Sequence, residues 1–203
     1  MMHSHTEILC LQPPLPHLQR PEPRQQRAGD ALQVGIGQLK VTGRGGLLQA
    51  VLGSCIGIAF LWEKRGLYGL AHCLLPEPHC DRTASAASAT FAADIASLQA
   101  AGARYVSHAV PALLRLMGAR EADYADITVI LAGGASMFES SRLCVGRENA
   151  AAAHKYLAQR GLKVRDHELG GKHGRQLLID CAQHSYTIKD LKPSCQDTRY
   201  EHH

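Results

Sequence analysis

The sequence has no long apolar run and few aromatic residues. No continuous apolar stretch reaches the roughly 18 residues that a membrane-spanning helix needs, so we do not expect insertion into a bilayer. The 203 residues include one Trp, three Phe and six Tyr, and the Lys and Arg residues are scattered at a net charge of +4. Proteins that bind nucleic acid usually carry a basic stripe or aromatic side chains that stack on bases. Neither stands out here, so nucleic acid is not an expected partner.

Cysteine is present, but its spacing indicates neither a disulfide framework nor a common zinc site. The seven cysteines form an odd set without CxxC spacing, and the first residues lack the basic-then-apolar pattern of a secretion signal. We therefore expect a reduced, cytoplasmic protein. His72-Cys73 and His79-Cys80 together offer four soft ligands for zinc, but neighbouring residues of a strand point to opposite faces. No metal and no cofactor is expected.

The composition changes near residue 31 and divides the chain into three parts. Residues 1–30 hold five of the nine prolines and few large apolar side chains after Leu18, which predicts a disordered N-terminal extension. Residues 31–192 have the ordinary apolar content of one well-cored domain. Residues 193–203 are expected to form a flexible tail.

Short β-type runs dominate the first half of the domain. They cover residues 32–41, 47–62 and 67–75, and the glycine-containing breaks between them predict adjacent antiparallel strands. The second run is almost wholly apolar, so we expect a central strand that is buried on both faces.

The second half predicts two main helices and further strands. Residues 83–103 are expected to be part loop and part helix. Apolar residues at helical spacing predict a helix over 104–117, with Pro111 marking a kink or a later start, and a second helix over 148–160. The predicted strands lie at 127–131, 163–168, 175–180 and 185–189. This order indicates an α+β protein, because a nucleotide-binding fold would alternate strands and helices strictly.

Cys55 and His72 form the candidate catalytic pair. They lie on neighbouring strand-like runs, and an imidazole that carries the proton is the usual means of making a reactive thiolate. Either residue alone would more often belong to a core, as a buried thiol or a hydrogen-bonded histidine. The small residues Gly53 and Ser54 favour close approach of a substrate and leave backbone amides for an oxyanion.

Four motifs follow one another in a fixed order and are jointly more specific than any one alone. They are Leu52-Gly-Ser-Cys-Ile56, Gly69-Leu-Ala-His-Cys-Leu-Leu-Pro76, Gly133-Gly-Ala-Ser-Met-Phe138 and Val145-Gly-Arg-Glu-Asn149, with a weaker echo in Gly170-Gly-Lys-His-Gly-Arg175. In this order they resemble the CheD family of chemoreceptor glutamine deamidases over about residues 32–190. The resemblance implies a three-layer α/β/β sandwich of mainly antiparallel strands with two main helices on one side. It also implies hydrolysis of receptor glutamine side chains to glutamate, with release of ammonia.

By motif position, the resemblance implies that Cys55 is the nucleophile and His72 the general acid and base. The family usually has a threonine that orients the histidine at the position of Gln49 or Ala50, and this chain lacks that hydroxyl. We expect the carboxamide of Gln49 to serve as the third residue, much as an asparagine does in other cysteine–histidine sites. The implied partners are the cytoplasmic helical bundle of chemoreceptors and a CheC-type phosphatase.

Two other functions fit the same residues. A non-catalytic adaptor of this fold, binding receptors or the phosphatase, would explain the departure at Gln49. Cys55 with His72 alone would also suit a cysteine acyltransferase or peptidase. Release of ammonia from receptor glutamines separates these alternatives.

The segment that begins at Gly133 and Gly134 predicts a tight turn. A phosphate-binding loop is not indicated, because the GKS/T ending is absent. Beyond the turn, Ser136, Met137 and Phe138 are the candidate surface for a substrate or partner. Burial in the core is the alternative for the two apolar side chains.

Overall fold

Residues 31–78, 102–136 and 144–192 are described by the computed structural model. Two sheets occupy these ranges, one of four strands in the order β1-β3-β8-β9 and one of five in the order β2-β5-β4-β6-β7. The strands are β1 (Ala31–Gln33), β2 (Leu39–Thr42), β3 (Leu47–Leu52), β4 (Ile56–Trp62), β5 (Leu67–Cys73), β6 (Thr128–Gly133), β7 (Val164–Leu169), β8 (Gly174–Asp180) and β9 (Ser185–Leu191). Pairing is antiparallel except between β1 and β3 and between β6 and β7.

Two α-helices lie in the described ranges, α1 (Val106–Leu116) and α2 (Val145–Ala158), together with 3-10 turns at Glu63–Arg65 and Glu121–Asp126. Pro111 lies inside α1, so the helix continues through it. The predicted second helix began at residue 148, whereas α2 begins three residues earlier. Val145 and Gly146 give this first turn little helix propensity, and tertiary packing of the turn overrides it.

Two predicted strands were too long, because each crosses from one sheet to the other. The run 32–41 divides into β1 of the four-stranded sheet and β2 of the five-stranded sheet. The run 47–62 divides in the same way into β3 and β4, at the three residues Gly53, Ser54 and Cys55. Within it, β4 is buried along its whole length, as predicted for a central strand. Apolar runs continue through both crossings, which is why hydrophobicity alone did not reveal them.

The core has two layers, one on each face of the five-stranded sheet. An inter-sheet core lies between the two sheets and contains Val34, Leu48, Ala50, Leu52, Cys55, Ala59, Leu61, Tyr68, Leu70, Ile130, Ala132, Leu177, Ile179 and Cys181. A helix-side core joins the other face to α1 and α2. The α+β class is therefore confirmed, with the layers in the order helices, five-stranded sheet, four-stranded sheet.

Several predictions fall outside the described residues. These are the N-terminal extension 1–30, the tail 193–203, the helix or loop expected within 83–101, His79, Cys80, Met137 and Phe138. In the ranges that are described, no helix is both long and apolar enough to cross a membrane.

Candidate active site

Cys55 lies at the second crossing between the sheets, immediately before β4. Its side chain belongs to the inter-sheet core and the residue is only 6% exposed, whereas the preceding Ser54 is exposed. The thiol is thus held in the core next to a position that solvent can reach. Burial raises the pKa of the Cys55 thiol, and a backbone hydrogen bond partly offsets the effect.

His72 lies on β5 and faces the same layer as Cys55. In the antiparallel pair of β4 and β5, His72 is opposite Gly57, which places it diagonally across from Cys55. Tyr68 and Leu70, at even spacing on β5, belong to the inter-sheet core, so the alternation of the strand directs His72 to that side. Diagonal neighbours in such pairs are about 7–8 Å apart at Cα, within reach of long side chains.

Residues 34–38, which form the first crossing between the sheets, make three contacts with His72. Its backbone N–H donates to the Gln38 carbonyl at 2.9 Å, and its carbonyl accepts from the Gly37 N–H at 2.8 Å. Its ring Nδ1 lies 3.1 Å from the Val34 carbonyl oxygen. A carbonyl only accepts, so Nδ1 carries the hydrogen and Nε2 keeps its lone pair.

The remaining ring nitrogen of His72 is available for proton transfer. Nε2 is buried and has no hydrogen-bond partner among the residues that the structure describes. Burial lowers the pKa of His72, and the bond to Val34 offsets this in part. Burial also raises the pKa of Cys55, so both shifts favour the neutral thiol and the neutral imidazole. Such an imidazole can accept a proton from the thiol as the sulfur attacks.

The side chain of Gln49 is directed away from this site. It lies on the outer face of β3, where its Nε2 donates to Gln33 Oε1 at 3.2 Å. The orienting contact to His72 expected from Gln49 is made instead by the Val34 carbonyl. Gln49 contributes through its backbone, because its carbonyl accepts from the Val34 N–H at 2.7 Å. Ala50 is the neighbouring residue that points inward.

Three successive carbonyls around Cys55 are each held by a donor. The Ala135 N–H donates to the Gly53 carbonyl and the Gly134 N–H to the Cys55 carbonyl, both at 2.8 Å. Between them, Asn149 Nδ2 donates to the Ser54 carbonyl at 3.1 Å. Hydrogen bonds from distant parts of the chain therefore fix the backbone conformation of residues 53–55, which carry the thiol.

The turn at Gly133 and Gly134 is the tight glycine turn that the sequence predicted. Both residues have positive φ, at 106° and 65°. The Gly133 carbonyl accepts from the Gly170 N–H at 2.9 Å and lies 3.4 Å from Arg175 Nη1. Arg175 is largely buried and also donates to the Gly170 carbonyl at 2.5 Å. It thereby joins two turns beside the candidate site.

Ser136, the one described residue of the candidate binding surface, follows this turn. It is exposed, and its N–H donates to the Gly171 carbonyl at 2.8 Å. Its position beside the Gly134–Cys55 contact keeps it close to the candidate nucleophile in the fold.

The side chains of His72 and Cys73, two of the four ligands of the zinc alternative, do not point to a common site. Cys73 belongs to the helix-side core, so the two side chains lie on opposite faces of β5. Within the described ranges, no group of three or more His, Cys, Asp or Glu side chains is placed to hold a metal ion.

Sequence reasoning missed the contributions of Val34, Asn149 and Arg175. The Val34 contact is made by a backbone atom and leaves no mark in the side-chain pattern. Asn149 lies inside α2 and is fully buried. An amide directly before the four alanines at 150–153, within a predicted helix, is the signal that would have singled it out.

Comparison with known proteins places the chain among chemotaxis proteins. The model of the family described as CheD chemotactic sensory transduction matches residues 74–190, more than half of the chain. A Ruegeria protein named probable chemoreceptor glutamine deamidase CheD is 37% identical over 165 residues, or 79% of this chain and 92% of the relative. Relatives with that name from Bdellovibrio bacteriovorus and Archaeoglobus fulgidus are 36% identical over 162 residues and 32% identical over 155. These alignments cover 78% and 74% of this chain and 93% and 87% of the relatives.

Proposed function

Because the chain belongs to the CheD family, we propose that it is a protein-glutamine deamidase that converts chemoreceptor glutamines to glutamates. The observation that carries the proposal is the placement of Cys55 and His72 on one face of a paired strand end, with the lone pair of His72 Nε2 uncommitted. The relatives' names supply the substrate class.

The proposed reaction begins with attack of the thiol on the side-chain amide. As Cys55 Sγ bonds to the amide carbon, His72 Nε2 takes the thiol proton and the π electrons of the carbonyl move to its oxygen. Backbone amides at Ser54 and Cys55 stabilise the resulting oxyanion, as donors placed at a developing charge generally do. Gly53 leaves room for the substrate beside them.

Collapse of this intermediate releases ammonia. The imidazolium of His72 protonates the nitrogen, the C–N bond breaks, and a thioester remains on Cys55. Water then adds to the thioester while His72 accepts its proton. The second tetrahedral intermediate expels the sulfur, which regains the proton, and a glutamate side chain remains.

The setting we propose is the bacterial cytoplasm, with the helical cytoplasmic bundle of a chemoreceptor as substrate and a CheC-type phosphatase as a further partner. Ser136, Met137 and Phe138 follow the turn that holds the nucleophile segment, and we assign them to the surface that meets the receptor. The Val34 carbonyl takes the histidine-orienting role in this proposal, in place of the side chain of Gln49.

The test is ammonia release from a receptor cytoplasmic fragment. Cys55→Ala and His72→Ala should each abolish it while the protein stays folded, with a loss on the order of a million-fold for the nucleophile. Cys144→Ala, at an exposed cysteine, is the matched control and should keep full activity. Equal turnover in Cys55→Ala and wild type would refute the mechanism. No ammonia from any of the proteins would favour the adaptor, and peptide cleavage would favour a peptidase.

A further inference from the structure

The side chain of Asn149 donates to two backbone carbonyls. Among the described residues, neither carbonyl has a backbone donor outside the regular strand pairing. Asn149, on α2, donates one Nδ2 hydrogen to the Ser54 carbonyl at 3.1 Å and the other to the Leu74 carbonyl at 3.0 Å. Continuing the register of β4 and β5 beyond Ile56 and Cys73 would place Cys55 opposite Leu74. A single buried amide therefore joins the nucleophile segment to the strand that carries His72.

The first of these contacts fixes a peptide plane. In a trans peptide the carbonyl of one residue and the N–H of the next lie in one plane and point in opposite directions. The Ser54 carbonyl points to Asn149, so the Cys55 N–H points away from it. Because α2 packs in the helix-side core, this direction is towards the inter-sheet layer, where the Cys55 side chain also lies.

We propose that Asn149 is a positioning residue for the oxyanion. It holds the Ser54–Cys55 peptide so that the Cys55 N–H is presented on the side of Sγ, where the carbonyl oxygen becomes charged after attack. The inference rests on the deamidase function proposed above. A donor fixed before the reaction stabilises the transition state without reorganisation, which is the usual source of a large effect from a single amide.

The chemistry of Asn149 agrees with this assignment. The residue is fully buried, yet its Oδ1 has no hydrogen-bond donor among the described residues. A buried polar atom without a partner costs stability, and the two donor contacts of Nδ2 offset that cost. An apolar side chain there would leave the carbonyls of Ser54 and Leu74 without that donor.

The experiment separates oxyanion stabilisation from thiol reactivity. For wild type, Asn149→Ala and Asn149→Asp, we would measure kcat and KM for ammonia release from a receptor cytoplasmic fragment. Alkylation of Cys55 by iodoacetamide would be followed by mass spectrometry of its peptide. Alkylation displaces iodide at a saturated carbon and forms no oxyanion. Asn149→Asp keeps the shape of the side chain but cannot hold both carbonyls, because a carboxyl group has one donor when protonated and none when ionised.

We expect kcat to fall about 100-fold or more in both variants, as it does when an oxyanion donor is lost, with KM little changed. The alkylation rate should stay near that of wild type. Leu157→Ala is the matched control, because Leu157 is buried on the same helix and lies in the helix-side core. It should lower the melting temperature without lowering kcat.

Each other outcome counts against the proposal. Wild-type kcat in Asn149→Ala would overturn it and leave the deamidase function intact. An equal fall in kcat and alkylation would assign Asn149 to the thiol instead. A similar loss of kcat in Leu157→Ala would show that helix docking alone is responsible. Wild-type protein that releases no ammonia would overturn the proposed function and this inference with it.

Discussion

Replacing Gly133 by alanine should impair both stability and turnover, because the new methyl group would meet the backbone of Cys55, the candidate nucleophile. A Cβ at Gly133 would lie 2.3 Å from the Cys55 carbonyl oxygen and 3.1 Å from Leu52 Cβ. Gly45 provides a matched control. Its φ of 95° is close to the 106° of Gly133, but a Cβ there would have no other atom within 4 Å.

The two substitutions share a conformational cost and differ in a steric one. Positive φ costs an L side chain about 1–2 kcal/mol at either position. At Gly133 the obstacle is a backbone oxygen, which cannot rotate away, and overpacking adds about 1–3 kcal/mol. We therefore expect losses of about 2–5 kcal/mol for Gly133→Ala and about 1–2 kcal/mol for Gly45→Ala. A displacement of Cys55 by about 1 Å should also reduce turnover about 100-fold.

Urea denaturation of both variants gives the free energies of unfolding, and ammonia release from a receptor fragment gives kcat. Gly45→Ala should keep wild-type turnover despite its lower stability. If the two variants lose the same stability, the steric contact between Gly133 and Cys55 is not what limits the site. Wild-type turnover in Gly133→Ala would show that the Cys55 carbonyl can move without harm to the reaction.

Three further predictions concern the candidate catalytic groups. Gln49→Ala should leave turnover essentially unchanged, since its side chain bonds to Gln33 on the outer face of β3; a strong loss of ammonia release would restore it as a catalytic residue. The lowered pKa of His72 means that the unfolded chain binds the proton more readily, so wild type should lose stability as pH falls below 6.5. The loss should be smaller in His72→Gln, as thermal melts between pH about 7.5 and about 5.5 would reveal. The raised pKa of Cys55 predicts that its alkylation rate still rises with pH at 9.0, whereas a plateau near neutral pH would indicate a preformed thiolate–imidazolium pair.

The pairing of Cys55 with His72 could be predicted because it depends on short-range signals. Cys55 directly precedes the apolar strand β4, and His72 lies on β5, the next strand after a glycine-containing break. The two strands form an antiparallel pair, which brings the two residues to neighbouring positions. Gln49 is the contrary case. Apolar residues occur on both faces of β3, with Leu48 facing inward and Val51 outward, so hydrophobic alternation could not tell which face Gln49 occupies.

The contacts that hold the site depend on the arrangement of distant segments. Asn149 and Ser54 are 95 positions apart in the chain, and Arg175 and Gly133 are 42 apart. Local propensity carries no information about such pairs, since it describes only the conformation of neighbouring residues. A polar residue on the buried face of a predicted helix therefore indicates a hydrogen bond whose partner the sequence does not identify.

The late position of Asn149 in the chain has a consequence for when the protein acquires activity. During synthesis Cys55 and His72 leave the ribosome well before α2, because a chain is made from its N-terminus onward. A nascent chain that ends before residue 144 has the Cys55 thiol but neither the amide that holds Ser54 nor the guanidinium that holds Gly133. The same long separations make these among the slower contacts to form. In the proposed mechanism, the contacts that position Cys55 are thus complete only after the C-terminal half has folded onto it.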